Sequence, residues 1–113
     1  MKLKGRAIPK HKAGVMNGLE RSYSVRLETM KQAGLIKWYT FESITLKLAK
    51  DTRYTPDFAV INNSDELEYH EIKGFWRDDA KVKIKVAAEM FPFIFKAFTV
   101  EKGCWVEKDF TVW

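Results

Sequence analysis

The chain has 113 residues, of which 46% are hydrophobic and 14% aromatic, enough for one packed core and too few residues for two domains. A single cysteine, Cys104, excludes an internal disulfide and a multi-cysteine zinc site, and no apolar run approaches the roughly 18–20 residues of a membrane helix. Twenty Lys and Arg against fifteen Asp and Glu leave a net charge of +5, a balance that suits a polyanionic partner, chiefly nucleic acid.

Residues 1–15 read as a basic N-terminal arm broken by Gly5, Pro9 and Gly14. Lys2, Lys4, Arg6, Lys10 and Lys12 all precede the first acidic residue, Glu20, and are candidate DNA contacts. The arm carries no apolar segment, so no signal peptide is expected and a reduced, cytoplasmic setting fits best. Residues 16–113 then form the single expected domain. Asn17 with Glu20 three residues later has the form of a capping box. Leu19, Tyr23, Leu27 and Met30 follow at helical spacing, and Gly34 is a C-cap candidate.

From Ile36 to Phe41 the sequence is apolar, aromatic and branched, which predicts a strand. Alternation around Ile44, Leu46 and Leu48 predicts a second, and Thr52 to Pro56 a bend. Strands are expected over Asp57–Ile61 and Leu67–Lys73, joined by the turn cluster Asn62 to Glu66. Asp78 and Asp79 open a second helix that Pro92 ends. Its apolar stripe is expected at Val82, Val86 and Met90, with Lys81 and Lys85 together on another face. Strands follow over Ile94–Val100 and Cys104–Trp113, and the first of these can return parallel to an earlier strand.

The 57–73 hairpin carries the chemistry. With its turn centred on Ser64, residues whose numbers sum to 128 face each other, so Asp57 opposes Glu71. Opposed side chains have Cβ atoms about 4.5–5.5 Å apart, where like charges repel. A proton or a bound cation would reconcile them, and Mg²⁺ needs only one or two carboxylates besides water and phosphate. Lys73 points to the same face roughly 6.6 Å further along. There an ammonium could orient the attacking water or stabilise charge building on a phosphate, the logic of metal-assisted phosphodiester hydrolysis. A slip of one residue would separate the two acids, and an ordinary hairpin with solvated charges is the alternative.

Tyr54-Thr55-Pro56-Asp57-Phe58 followed by His70-Glu71-Ile72-Lys73-Gly74 resembles the PD-(D/E)xK nuclease superfamily. The helix carrying Glu20-Arg21 resembles the N-terminal acidic helix of its Holliday junction resolvases, and the whole chain is similar to a family of short phage-encoded proteins of that group. The resemblance spans roughly residues 16–100. It implies a restriction-endonuclease-like α/β fold with an αβββαβ core, a mixed sheet flanked by helices. It also implies that Asp57 and Glu71 hold Mg²⁺, with Mn²⁺ as a substitute, and that the Ile72 carbonyl is a third ligand. Lys73 would be the catalytic lysine, and Glu20 would complete the acidic cluster. The expected activity is endonucleolytic cleavage of DNA, most readily of branched DNA, by a C2 homodimer, in the host cytoplasm if the chain is phage-encoded.

Two readings of Glu20 compete, because a side chain reaching back to cap Asn17 is not free to bind metal. His70 alternates to the face opposite Glu71 and reads as a packing or surface histidine. Arg77, Lys81 and Lys85 are further candidate DNA contacts, against the alternative of a solvated helix face. A nuclease without junction preference and a DNA-binding module that does not cut are the rival functions.

Overall fold

A computed structural model describes residues 14–75 and 78–113; the candidate contacts Lys2, Lys4, Arg6, Lys10, Lys12 and Arg77 lie outside them. Helix α1 (Gly18–Gln32) starts where the sequence places it. Asn17 is its N-cap, its side chain accepting from the Glu20 N–H while Glu20 accepts from the Asn17 N–H. Ala33 is the C-cap, and Gly34 follows in the left-handed conformation that glycine adopts without strain.

The strands are β1 (Ile36–Phe41), β2 (Leu46–Ala49), β3 (Thr52–Tyr54), β4 (Phe58–Asn62), β5 (Leu67–Ile72), β6 (Ile94–Glu101) and β7 (Cys104–Asp109), with helix α2 (Asp78–Met90) between β5 and β6. Five of them form a mixed sheet in the order β1-β4-β5-β6-β7, parallel between β5 and β6 and antiparallel elsewhere. Strands β2 and β3 pair as a separate two-stranded ribbon. Setting aside the ribbon and β7 leaves the order αβββαβ, so the expected α/β core is present. The β6–β7 connection turns through Lys102 and Gly103, both at positive φ, the backbone of a type I′ hairpin.

Each face of the sheet carries one helix. Tyr23 and Leu27 of α1 pack with Ile36, Phe58, Val60, Ile72 and Phe98. On the other face Ile84, Ala87 and Ala88 of α2 pack with Leu46, Leu48 and Tyr54 of the ribbon and with Ala59, Tyr69, Phe95 and Ala97 of the sheet. Phe91 and Phe93 join that core at its margin. No helix among the described residues is long and apolar enough to cross a membrane.

Three expectations are corrected. The expected strand Cys104–Trp113 ends at Asp109. Thr52–Tyr54 is a strand and not part of a bend, because Tyr54 is buried and its neighbours pair with β2. The apolar stripe of α2 that meets the core is Ile84, Ala87 and Ala88, whereas Val82, Val86 and Met90 are exposed. Ile84 fills the contact while Ala87 and Ala88 beside it let the helix approach the sheet closely. Cys104 is exposed on the edge strand β7.

Candidate metal centre

The hairpin register is the one the turn dictates. Phe58 faces His70, Ala59 faces Tyr69, Val60 faces Glu68 and Ile61 faces Leu67, and the same sum of 128 sets Asp57 opposite Glu71. Both acids are buried. Strand β1 runs on the other side of β4, pairing Phe41 with Phe58 and Thr40 with Ala59. Continuing that register sets Glu42 opposite Asp57, and the Glu42 N–H donates to the Asp57 carbonyl at 2.8 Å. Asp57 therefore lies between an acid on each neighbouring strand, at the end of the sheet where β1 and β5 finish and β4 begins. The first turn of α1 brings Glu20 to the same place.

Glu20, Glu42 and Asp57 each present a carboxylate oxygen, and the three atoms lie within 4.8 Å of one another. A backbone amide anchors each of these carboxylates. Asn17 N–H donates to Glu20 Oε1 at 3.0 Å, Gly14 N–H to Glu42 Oε1 at 2.8 Å, and Ile72 N–H to Asp57 Oδ2 at 2.8 Å. The helix-cap and acid-cluster readings of Glu20 thus coexist: the carboxylate caps the helix and still faces Asp57 and Glu42. A carboxylate has two oxygens, and capping engages Oε1.

Asp57 is the member in tension. Its second oxygen takes no hydrogen bond among the described residues, although the side chain is buried. Burial and the neighbouring Glu71 raise its carboxyl well above the usual carboxylate range, against the lowering effect of the Ile72 N–H. Glu71 is raised too, by burial, although the Lys73 ammonium at 3.1 Å and the Tyr54 hydroxyl at 2.8 Å both favour its charged form. Tyr54 is pushed up by burial and by Glu71, so it stays a neutral donor. Glu71 is thus held in place from two sides beside the three-acid group.

The donor set suits a hard divalent cation. Mg²⁺ and Mn²⁺ favour carboxylate oxygens, and an unpartnered buried oxygen on Asp57 next to two further carboxylates is the environment such an ion relieves. Of the residues expected at the site, Glu20, Asp57, Glu71 and Lys73 come together, and Ile72 contributes its N–H to Asp57. Lys81 and Lys85 are on α2, Lys81 half-buried and Lys85 exposed.

Sequence reasoning missed Glu42. The signal that finds it is the argument that found Glu71, applied to the β1–β4 pair instead of the β4–β5 hairpin. His70 is on the opposite face, buried as expected for a packing residue. Its Nε2 is 2.8 Å from Glu68 Oε1 and its Nδ1 is 2.7 Å from the Tyr23 hydroxyl. A carboxylate only accepts, so Nε2 carries the proton and Tyr23 donates to Nδ1. This chain ties α1 to β5 one helical turn beyond Glu20. Burial alone would raise the Glu68 carboxyl, but hydrogen bonds from His70 and Asn62 hold it down at about 2.

No protein-family profile, curated protein or solved structure matches the chain.

Proposed function

We propose that this chain is a divalent-metal-dependent endodeoxyribonuclease. The observation that carries the reading is the setting of Asp57, a buried carboxylate flanked through the register by Glu42 and Glu71 and left with one oxygen unpartnered among the described residues. A structural hairpin gains nothing from burying opposed acids, whereas a metal site requires them.

Asp57, Glu42 and Glu20 would hold the ion, Mg²⁺ or in its place Mn²⁺, with Glu71 beside them. When bound, the ion supplies positive charge at the scissile phosphate and lowers the pKa of a coordinated water. The residues of the chain orient the rest. Tyr54 and Lys73 fix the Glu71 carboxylate by hydrogen bond and ion pair. Lys73, partly exposed beside Glu71, places an ammonium where a phosphate oxygen gaining charge can be stabilised. The backbone amides of Asn17, Gly14 and Ile72 hold the three carboxylates in position, so the donor geometry is set before the ion arrives.

The PD-(D/E)xK resemblance of Pro56-Asp57 and Glu71-Ile72-Lys73 points the same way and suggests branched DNA cut by a homodimer. The test is cleavage of a four-way junction, a linear duplex and a single strand in Mg²⁺ or Mn²⁺, with Asp57→Asn as control. Paired nicks in the junction, lost in the variant, support the resolvase form. Equal cutting of all three keeps the nuclease and discards the junction preference. Binding with no cutting under either ion refutes the enzyme.

A further inference from the structure

We infer that the β2–β3 ribbon is a phosphate-binding arm that holds the DNA backbone beside the acid cluster. The inference rests on the nuclease reading for the identity of its polyanion.

The ribbon has two dissimilar faces. Leu46, Leu48 and Tyr54 are buried and fasten it to α2 and the sheet, which supplies the support that an isolated two-stranded hairpin lacks. Its other face is solvent-exposed and carries Lys47 and Arg53. These two are register partners, so their side chains leave the same face side by side. Directly opposed like charges destabilise a strand pair. Neither has a hydrogen bond or ion pair among the described residues, and Asp51 at the turn does not pair with them. The sequence therefore keeps a local repulsion that it could have relieved with one acidic substitution.

The same face continues with Thr45 and Thr55, whose hydroxyls lie 2.7 Å apart. Arg, Lys and Thr are among the side chains that contact phosphate oxygens, contacts that carry no sequence information. Arginine binds phosphate in a bidentate fork and lysine as a point charge. Position makes the ribbon relevant to the site. Tyr54, adjacent to Arg53, holds Glu71 from the buried side. Asp57 is four positions after Arg53, so their Cα atoms are at most about 14 Å apart. Even with the reach of the side chains added, this is shorter than the roughly 34 Å of one duplex turn, so the ribbon and the acids can meet the same segment of DNA.

The experiment measures binding to a linear duplex and a four-way junction in EDTA across a salt series, so no cleavage is involved. The variants are Lys47→Gln/Arg53→Gln and, as a control on α1, Lys31→Gln. The double variant should weaken binding to all duplex sequences alike. It should also reduce the slope of log K against log salt by about 0.9 for each lost phosphate contact, hence about 1.8. Its thermal midpoint without DNA should be equal or higher, because the opposed charges are gone, and this shows that the variant is folded. An unchanged affinity and slope in a folded variant overturns the assignment, as does a wild-type protein that binds no DNA at low salt. Cleavage by the wild type alongside an unchanged slope rejects the arm and keeps the nuclease. Ribbon-dependent binding without cleavage in Mg²⁺ rejects the nuclease and keeps the arm.

Discussion

Replacing Asp57 with Asn should stabilise the metal-free protein at pH 8. The amide oxygen can still accept from the Ile72 N–H, so the local hydrogen bond survives while the ionisable group is removed. An ionised Asp57 about 5 Å from the Glu71 charge would be repelled by about 3 kcal/mol at an effective dielectric constant of about 20, and a native state that avoids this by holding the proton bears instead the cost of a protonation the unfolded chain does not need at this pH. Lys73 beside Glu71 offsets part of this, leaving a gain of roughly 1–3 kcal/mol. For a domain of this size that is a rise in Tm of about 4–12 °C. The gain must depend on pH. The Asp57 carboxyl is raised in the native state, so between the unfolded value of about 3.9 and the native value the folded protein keeps a proton that the unfolded chain has released. Native stability therefore falls as pH rises through that window. Asn cannot ionise and loses this slope, so the difference between variant and wild type should shrink towards zero near pH 4. Adding Mg²⁺ or Mn²⁺ at about 100 times its Kd should return about 2.7 kcal/mol to the wild type at pH 8 and much less to the variant. Thermal melts from pH 4 to 9, with EDTA and with metal, measure all three. A variant that is destabilised at pH 8, or shifted equally at every pH, would refute the account of Asp57 as a buried acid whose ionisation the native state opposes.

Three other perturbations test separate parts of the structure. Tyr54→Phe removes a donor from Glu71 and should cost about 1–3 kcal/mol in urea unfolding at pH 8. The cost should shrink as pH falls, because the raised Glu71 carboxyl takes up its proton earlier than an ordinary glutamate and a neutral acid needs the donor less. Glu68→Gln should cost about 1–3 kcal/mol at neutral pH. Because Glu68 is depressed to about 2, its contribution is complete above about pH 4.5 and is lost as pH falls through 2, so the cost of the variant should fade in acid melts. Ile84→Ala should cost about 2–5 kcal/mol, whereas Val82→Ala should stay within about 0.5 kcal/mol. Equal effects of the last two would reverse the assignment of the inner face of α2.

The hairpin register was legible because its turn is local. Asn62 to Glu66 can close only one way once Ile61 and Leu67 are opposed, and every pair beyond follows by counting. Helix α1 was legible for a similar reason: the Asn17–Glu20 box is contained within four residues. The inner face of α2 was not, since Val82, Val86 and Met90 have helical spacing as regular as that of Ile84 and Ala88. Only the sheet decides between them, and it selects the face on which Ile84 is flanked by Ala87 and Ala88, where the helix can come close. The ribbon was half legible. Leu46 and Leu48 alternate visibly, but β3 is three residues long, too short for a period-2 pattern to show.

Glu42 was hidden for a different reason, and that reason bears on how the site works. Its relation to Asp57 depends on β1 pairing with β4, strands separated by the whole β2–β3 ribbon, so no local pattern announces it. Once formed, that pairing makes Asp57 the middle of three acids across adjacent strands, and sheet geometry prevents the two nearest from separating by more than side-chain rotation allows. Amides from the segment preceding α1, from its N-cap and from the end of β5 then each fix one oxygen. Such hydrogen bonds orient the carboxylates. Asp57, buried beside Glu71, is left either to repel its neighbour or to hold a proton, and a divalent ion entering the cluster supplies the positive charge that favours its ionised form.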